Sequence, residues 1–373
     1  MIMRLLLIGG GHSHAIALSL IRKNYLNKVN ITIISDTPLS PYSGILPAYV
    51  AGYYSPQDLF IPIKKIAESK GINFILDKVI DINPEQKYVI CHSGNKITFD
   101  ILSIDIGSTP DKSTIKGANL YSIPAKPVLS FLDKWKKITD YYQVSKNQSL
   151  TLNIIGGGAG GVELALNIHK KLTSIMTSDN ININLIHRGE KILENHNQWV
   201  SYKLTDILQA KKINLFLNSE VNAINQTEII LKTGKKISGN HHILVTQASA
   251  PLWLKNNPIN TDKTGFILIK NTLQTTNYNY IFASGDIATL RENPHPKAGV
   301  FAVRQGKPLL KNLFRFIENK PLKPYFPPRN YLNIIGTGNE SAVASWSYLG
   351  WESPLLWYFK NYLDLRFMNK FKH

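Results

Sequence analysis

Two segments of the chain repeat one pattern, and that repeat limits the possible folds more than any other feature. MRLLLIGGGHSHAIALSL and LTLNIIGGGAGGVELALNIHKKL each pass from an apolar strand through a glycine turn into an apolar helix, and a second strand-like run follows each, VNITIIS and ININLIHRG. The two units lie roughly 145 residues apart, and an accidental repeat would have to reproduce the turn and both flanking elements. In a dinucleotide-binding turn the first glycine makes the tight bend, the second lets a pyrophosphate approach the backbone, and the third lets the helix pack closely on the strand. Gly156, Gly158 and Gly161 fill all three places in the second unit. The first unit has Gly9 and Gly11, but His14 stands in the third place, so by itself it is also compatible with a turn that binds nothing.

Each unit is trailed by a hairpin and a further strand. QKYVICHSGNKITFDILSIDIGSTP follows the first and ends its strand at Gly107; EIILKTGKKISGNHHILVTQASAP follows the second. Later, YIFASGDIATL reads as a buried strand ending in Gly285 and Asp286. A carboxylate at that edge can accept a hydrogen bond from a sugar or ribityl hydroxyl, or can cap a helix. The expected fold is α/β, with two Rossmann-like domains, the second inserted in the first, and a C-terminal α+β segment. The expected boundaries are 1–120 with 255–325, then 121–254, then 326–373.

Composition narrows the chemistry. Cys91 is the only cysteine, which excludes an internal disulfide framework, a redox pair and a thiolate zinc site, so no metal site is expected and redox work must come from a cofactor. A lone thiol fits a reducing compartment, hence the cytoplasm. No run of 18 apolar residues occurs, which argues against a spanning helix. The net charge of +18 favours an anionic contact. No RNA-binding, zinc or basic-helix motif accompanies it, so nucleic acid is not an expected partner.

The order of Gly9 and Gly11, IDIGSTP, the second glycine turn with Glu163, and FASGDIA resembles flavoproteins with two dinucleotide-binding domains, the group holding disulfide reductases and type II NADH dehydrogenases. GGGHSH, PYSGILPAYVAGYY, AKPVLSFLDKW, KAGVFAVRQG and WYFKNYLDLRFMNKF look more specifically like the NADH dehydrogenase-like domain found fused ahead of selenophosphate synthetase. In that subfamily the histidine form of the first loop is usual. The resemblance implies FAD on the first turn, with Gly9, Gly11, His12, Ser13 and His14 beside its pyrophosphate, and NADH or NADPH on the second. It further implies that Tyr42, Ser43, Gly44, Leu46 and Pro47 lie against the isoalloxazine and that Asp286, next to Gly285, holds the ribityl chain. Lys297, Gly299, Val300 and Gln305 would line the far side of the ring, and Glu163 would sit near the nicotinamide.

Departures from the pattern sharpen these expectations. Ser35 stands where many relatives have the acid that grips the adenosine ribose, leaving Asp36 as the candidate. The second unit's second strand ends in His187 and Arg188, which favours NADPH over NADH by supplying a cation for a 2'-phosphate. Gln247 replaces a common glycine and raises the prospect of a decayed nucleotide pocket. From Trp351 the chain is apolar nearly all round a helix, with Leu356, Phe359, Leu363 and Phe367 expected on one stripe. Such a helix needs cover on two sides, from the protein and from a membrane interface, or from a homodimer partner or plain packing. The expected function is an FAD-dependent NAD(P)H oxidoreductase passing electrons to a quinone or other small acceptor, peripheral on the inner face of a membrane. The alternative is an FAD-binding accessory module without turnover.

Overall fold

The computed structural model describes residues 2–112, 114–246 and 248–372. The apolar strands assemble into two parallel five-stranded sheets. In the first, neighbouring strands run Ile281–Ala283, Ile101–Ile104, Met3–Ile8, Val29–Ser35, Asn73–Leu76. In the second they run Ile123–Pro124, His241–Leu244, Leu150–Ile155, Ile181–Ile186, Asn214–Phe216. The chain therefore leaves the first sheet after Ile104, completes the second, and returns at Ile281. Leu5 to Ile8 and Leu152, Ile154 and Ile155 are almost wholly buried, as continuous apolar runs must be when helices cover both faces of a parallel sheet. An antiparallel three-stranded sheet follows each glycine unit, and a third, Asn333–Gly336, Ala342–Trp346, Leu349–Ser353, leads into the helix Pro354–Met368.

The two glycine turns solve one packing problem in different ways. In the second, a methyl on Gly161 would lie 1.8 Å from the Gly156 carbonyl oxygen, so the helix sits directly on the turn. In the first, the His14 ring fills the equivalent position. Its Nδ1 is 2.7 Å from the Gly9 carbonyl oxygen and its Nε2 is 2.8 Å from Ser103 Oγ. Gly9 itself has φ +88° and Gly156 +127°, a region open to glycine at little cost.

The helix expected from His12 to about Tyr25 ends at Leu20, and a single turn Lys23–Leu26 follows. Lys70 explains the stop. Its Nζ donates to the carbonyls of Ser19 and Ile21, satisfying oxygens that the helix would otherwise use.

The C-terminal helix is also rotated from its expected face. Leu356 and Phe367 are buried, but Phe359 and Leu363 are 44% and 39% exposed, and Lys360 and Asp364 take the inward positions between them. Gly161→Ala is expected to force the second helix off its strand and to lower stability by about 1–3 kcal/mol or more, read as a fall in Tm of the full chain.

Candidate active site

The N-terminus of the first helix, the PYSG loop and the Gly285 turn converge. His12 Nε2 lies 3.3 Å from the Pro41 carbonyl oxygen and its ring meets Tyr42 edge-on at 5.3 Å. A side chain at Gly299 would touch Ser43 Oγ and His12. Burial pushes the His12 pKa down despite Asp286 nearby, so the ring is held neutral. Asp286 accepts hydrogen bonds from Lys126 Nζ at 2.9 Å and Ser108 Oγ at 3.2 Å. Burial raises its pKa, but Lys126 outweighs it and keeps the group below the usual carboxylate range.

Four of the expected cofactor contacts point elsewhere. His14 is fully buried with both nitrogens engaged by protein, and burial lowers its pKa to about 4, so it is a neutral packing group beneath the turn. Ser13 Oγ donates to the Ala302 carbonyl at 2.7 Å and faces the long helix Gly299–Ile317. Gln305 is also fully buried and accepts from the Gly285 N–H at 2.7 Å, so it fixes the turn that carries Asp286. Lys297 Nζ donates to the Ala288 carbonyl and Thr289 Oγ at 2.6 and 2.8 Å; burial pulls its pKa down to about 8, against the pull of Asp262 and Asp286. Leu46 and Pro47 are buried in the short helix Leu46–Ala51, which packs on the helix Ala159–Thr173, while Val300 is half-buried at the start of the helix Gly299–Ile317.

The backbone is open at two of the glycines. Nothing lies within 4 Å of where a side chain would stand at Gly107 or Gly158, so ligand atoms can approach both backbones. At the end of the second unit's strand, His187 Nδ1 accepts from the Gly157 N–H at 3.2 Å, and its Nε2 is 3.8 Å from Glu194 Oε1. A carboxylate absent from the strand's own sequence thus reaches its end from the following loop. Asp36 is exposed just beyond its strand, while Ser35 is buried. Gln247 lies outside the described residues.

A buried cluster joins these parts; sequence reasoning named Glu163 and Tyr42 as site residues but not Lys360 and Asp364. Glu163, in the first turns of the helix Ala159–Thr173, accepts from the Gly336 N–H at 3.0 Å, and Lys360 Nζ lies 3.7 Å away. Lys360 Nζ also donates to Asp364 Oδ2 at 2.8 Å and to the Gly44 carbonyl at 2.9 Å. Tyr42 Oη completes the line by donating to Asp364 Oδ1 at 3.0 Å.

Side-chain exposure in this cluster is 12% for Lys360, 13% for Glu163 and 9% for Asp364. Burial disfavours the ammonium, but Glu163 and Asp364 outweigh it and hold its pKa far above the ordinary lysine range. Burial raises the Glu163 pKa in spite of Lys360. Burial and then Asp364 raise that of Tyr42. The available signal was Lys360 and Asp364 at i and i+4 on an otherwise aromatic helix.

Two parallel five-stranded sheets, each entered through a glycine turn, define the class of proteins with two dinucleotide-binding domains. Residues 3–306 match the family described as pyridine nucleotide-disulphide oxidoreductase, and the chain belongs to it. As a member it is a flavoprotein oxidoreductase with FAD and a nicotinamide nucleotide as cofactors. It is 23% identical to the type II NADH:quinone oxidoreductase of Haemophilus influenzae, across 95% of this chain and 89% of that protein. It is 22% identical to a probable NADH dehydrogenase of Dictyostelium discoideum, across 85% and 75%. Among solved structures it is similar to the sulfide:quinone oxidoreductase of Aquifex aeolicus, with a TM-score of 0.81 and 20% identity over 99% of this chain and 92% of that one. It is also similar to NDH2 of Plasmodium falciparum in complex with NADH, with a TM-score of 0.80 and 17% identity over 100% and 98%.

Lys360→Met removes the cation and strands two buried carboxyls. It is expected to cost about 3–5 kcal/mol near neutral pH, as when one partner of a buried ion pair is lost. Without the ammonium, which opposes the burial that raises its pKa, Glu163 protonates more readily, so the deficit against the unmodified chain shrinks as pH falls toward 5. Paired denaturant titrations across pH check both the size and the trend.

Proposed function

We propose that the protein is a type II NADH:quinone oxidoreductase working at a membrane surface. FAD, when bound at the first turn, supplies the two-electron centre that accepts hydride and returns electrons. The observation that carries the quinone part of this reading is the line Tyr42, Asp364, Lys360, Glu163. Reducing a quinone consumes two protons, and a site closed to bulk water must store or relay them through its own side chains. Glu163 carries a raised pKa, so it can hold a proton, and the Lys360 ammonium compensates negative charge developing beside it. His12 stays neutral and closes one wall, while Ser108, Lys126 and Gln305 hold Asp286 and its turn for the ribityl chain. The names carried by the Haemophilus and Dictyostelium relatives support the same donor and acceptor classes.

NADH is the donor best supported. Glu194, 3.8 Å from His187 at the strand's end, offers an acceptor for ribose hydroxyls and opposes a 2'-phosphate. The reading of His187 and Arg188 as a phosphate site gives way to this neighbour.

The C-terminal elements support a membrane surface. Trp346, Tyr348, Leu349, Leu355, Tyr358 and Tyr362 are 48–87% exposed on the final hairpin and helix, with Arg366 and Lys370 on the same helix end. Aromatic rings and lysines suit a headgroup layer. No described helix is long and apolar enough to cross a bilayer.

Glu163→Gln removes a carboxyl that can take up a proton and pass it on. It is expected to lower kcat for NADH oxidation with a water-soluble quinone by about 10²-fold above pH 7 while flavin reduction by NADH alone proceeds. Equal loss in both half-reactions would remove Glu163 from the quinone step. Binding to vesicles containing anionic lipid is expected to weaken with added salt and to fall several-fold in Leu355→Asp, measured by co-sedimentation.

A further inference from the structure

Asp105 is a buried carboxyl that the reaction described above does not use. It ends the strand Ile101–Ile104 and is 1% exposed. The backbone N–H of His14 donates to its Oδ2 at 2.9 Å, and that of Ser13 also points to it, so the carboxyl sits on the N-terminus of the first helix. A methyl on Gly11 would fall 2.3–2.5 Å from all three carboxyl atoms, and one on Gly285 would fall 2.4 Å from Oδ1. The carboxyl is thus wedged between the two turns that frame the cofactor cleft.

The second unit provides an internal comparison. There the backbone oxygen facing Gly156 belongs to Val245, in the place that Asp105 takes beside Gly9, and Gly158 meets nothing within 4 Å. An acid is therefore not required to build such a turn. Its presence in the first one sets a charge where the dinucleotide's phosphates, which favour helix N-termini, must come.

No cation neutralises Asp105 among the described residues. The titratable side chains at the start of the first helix, His12 and His14, are both held neutral by burial. From the Gly285 turn Asp105 faces Asp286, which repels it and already pairs with Lys126. Lys297 is engaged with Ala288 and Thr289, and Gln305 with Gly285. Burial has pushed the Asp105 pKa up to about 7, with Asp286 adding to the shift.

The geometry points to Asp105 as a proton-taking positioning residue beneath the FAD pyrophosphate: the carboxyl, walled in under the two turns, carries a proton when the phosphates lie over the helix N-terminus, and binding above the pH at which it ionises takes that proton from solvent. This inference rests on reading the first turn as the FAD site. An ionised Asp105 would instead lie beneath two phosphate charges with no cation paired to it among the described residues.

The sign follows from linkage. Below about pH 7 the carboxyl is already protonated in the flavin-free protein and affinity is flat. Above it, the proton must be taken up on binding and the FAD Kd rises up to tenfold per pH unit.

The test is a fluorescence titration of the full chain, stripped of flavin, with FAD from pH 6.5 to 9. The expected result is this upward slope in the unmodified protein and a flat, tight Kd in Asp105→Asn. A flat Kd in the unmodified protein overturns the proposal and leaves the FAD site standing; absence of FAD binding at every pH overturns the reading on which it rests. A slope that survives in Asp105→Asn overturns it by assigning the proton to another group, Lys297 first. Calorimetry of the unmodified protein at pH 8 in buffers of different ionisation enthalpy needs no variant: close to one proton taken up per FAD is expected, and none overturns the proposal.

Discussion

The ammonium of Lys360 ties together three parts of the chain that share no sequence neighbourhood. It reaches the Gly44 carbonyl in the PYSG loop, Asp364 on its own helix and Glu163 beside the second glycine turn. A buried lysine is costly unless its charge is matched, and here two carboxylates match it. The C-terminal helix is therefore fixed to the cleft by chemistry as well as by the apolar contacts of Leu356 and Phe367. The cluster adds charged contacts to the rings that already seat this helix, Phe367 against Tyr42 and Trp357 against Tyr53.

The same economy appears at the glycine turns. Where the second unit uses Gly161 to bring helix against strand, the first inserts the His14 imidazole and hydrogen-bonds it to the Gly9 carbonyl. The Asp105 carboxyl lies beneath the N-terminus of that helix and accepts from the His14 N–H. One substitution in a fingerprint thus accompanies a second, at Asp105, and together they make the floor of the first turn polar where that of the second is apolar.

Much of the architecture was legible because it rests on local periodicity. The apolar runs, the glycine spacing and the return of a strand at Ile281 follow from residues a few positions apart. The assignment of side chains to the site was less legible, because it depends on contacts between distant segments. Gln305 and Ser13 are buried supports, His14 packs under the turn, and Glu194 arrives from a loop to stand where the strand itself lacks an acid. The C-terminal helix misled for a related reason: when nearly every position is apolar, hydrophobicity does not choose a face. The choice fell to Lys360 and Asp364, whose partners lie on other elements.

The central claim is that one chain carries hydride from NADH to FAD and then electrons to a quinone. The most direct measurement is the anaerobic visible spectrum of the FAD-loaded protein during titration with NADH, followed by a short-chain quinone. The account predicts flavin bands that bleach with about one equivalent of NADH and return when quinone is added. Bands that persist at millimolar NADH would contradict the donor half, and bleached bands that quinone fails to restore would contradict the acceptor half.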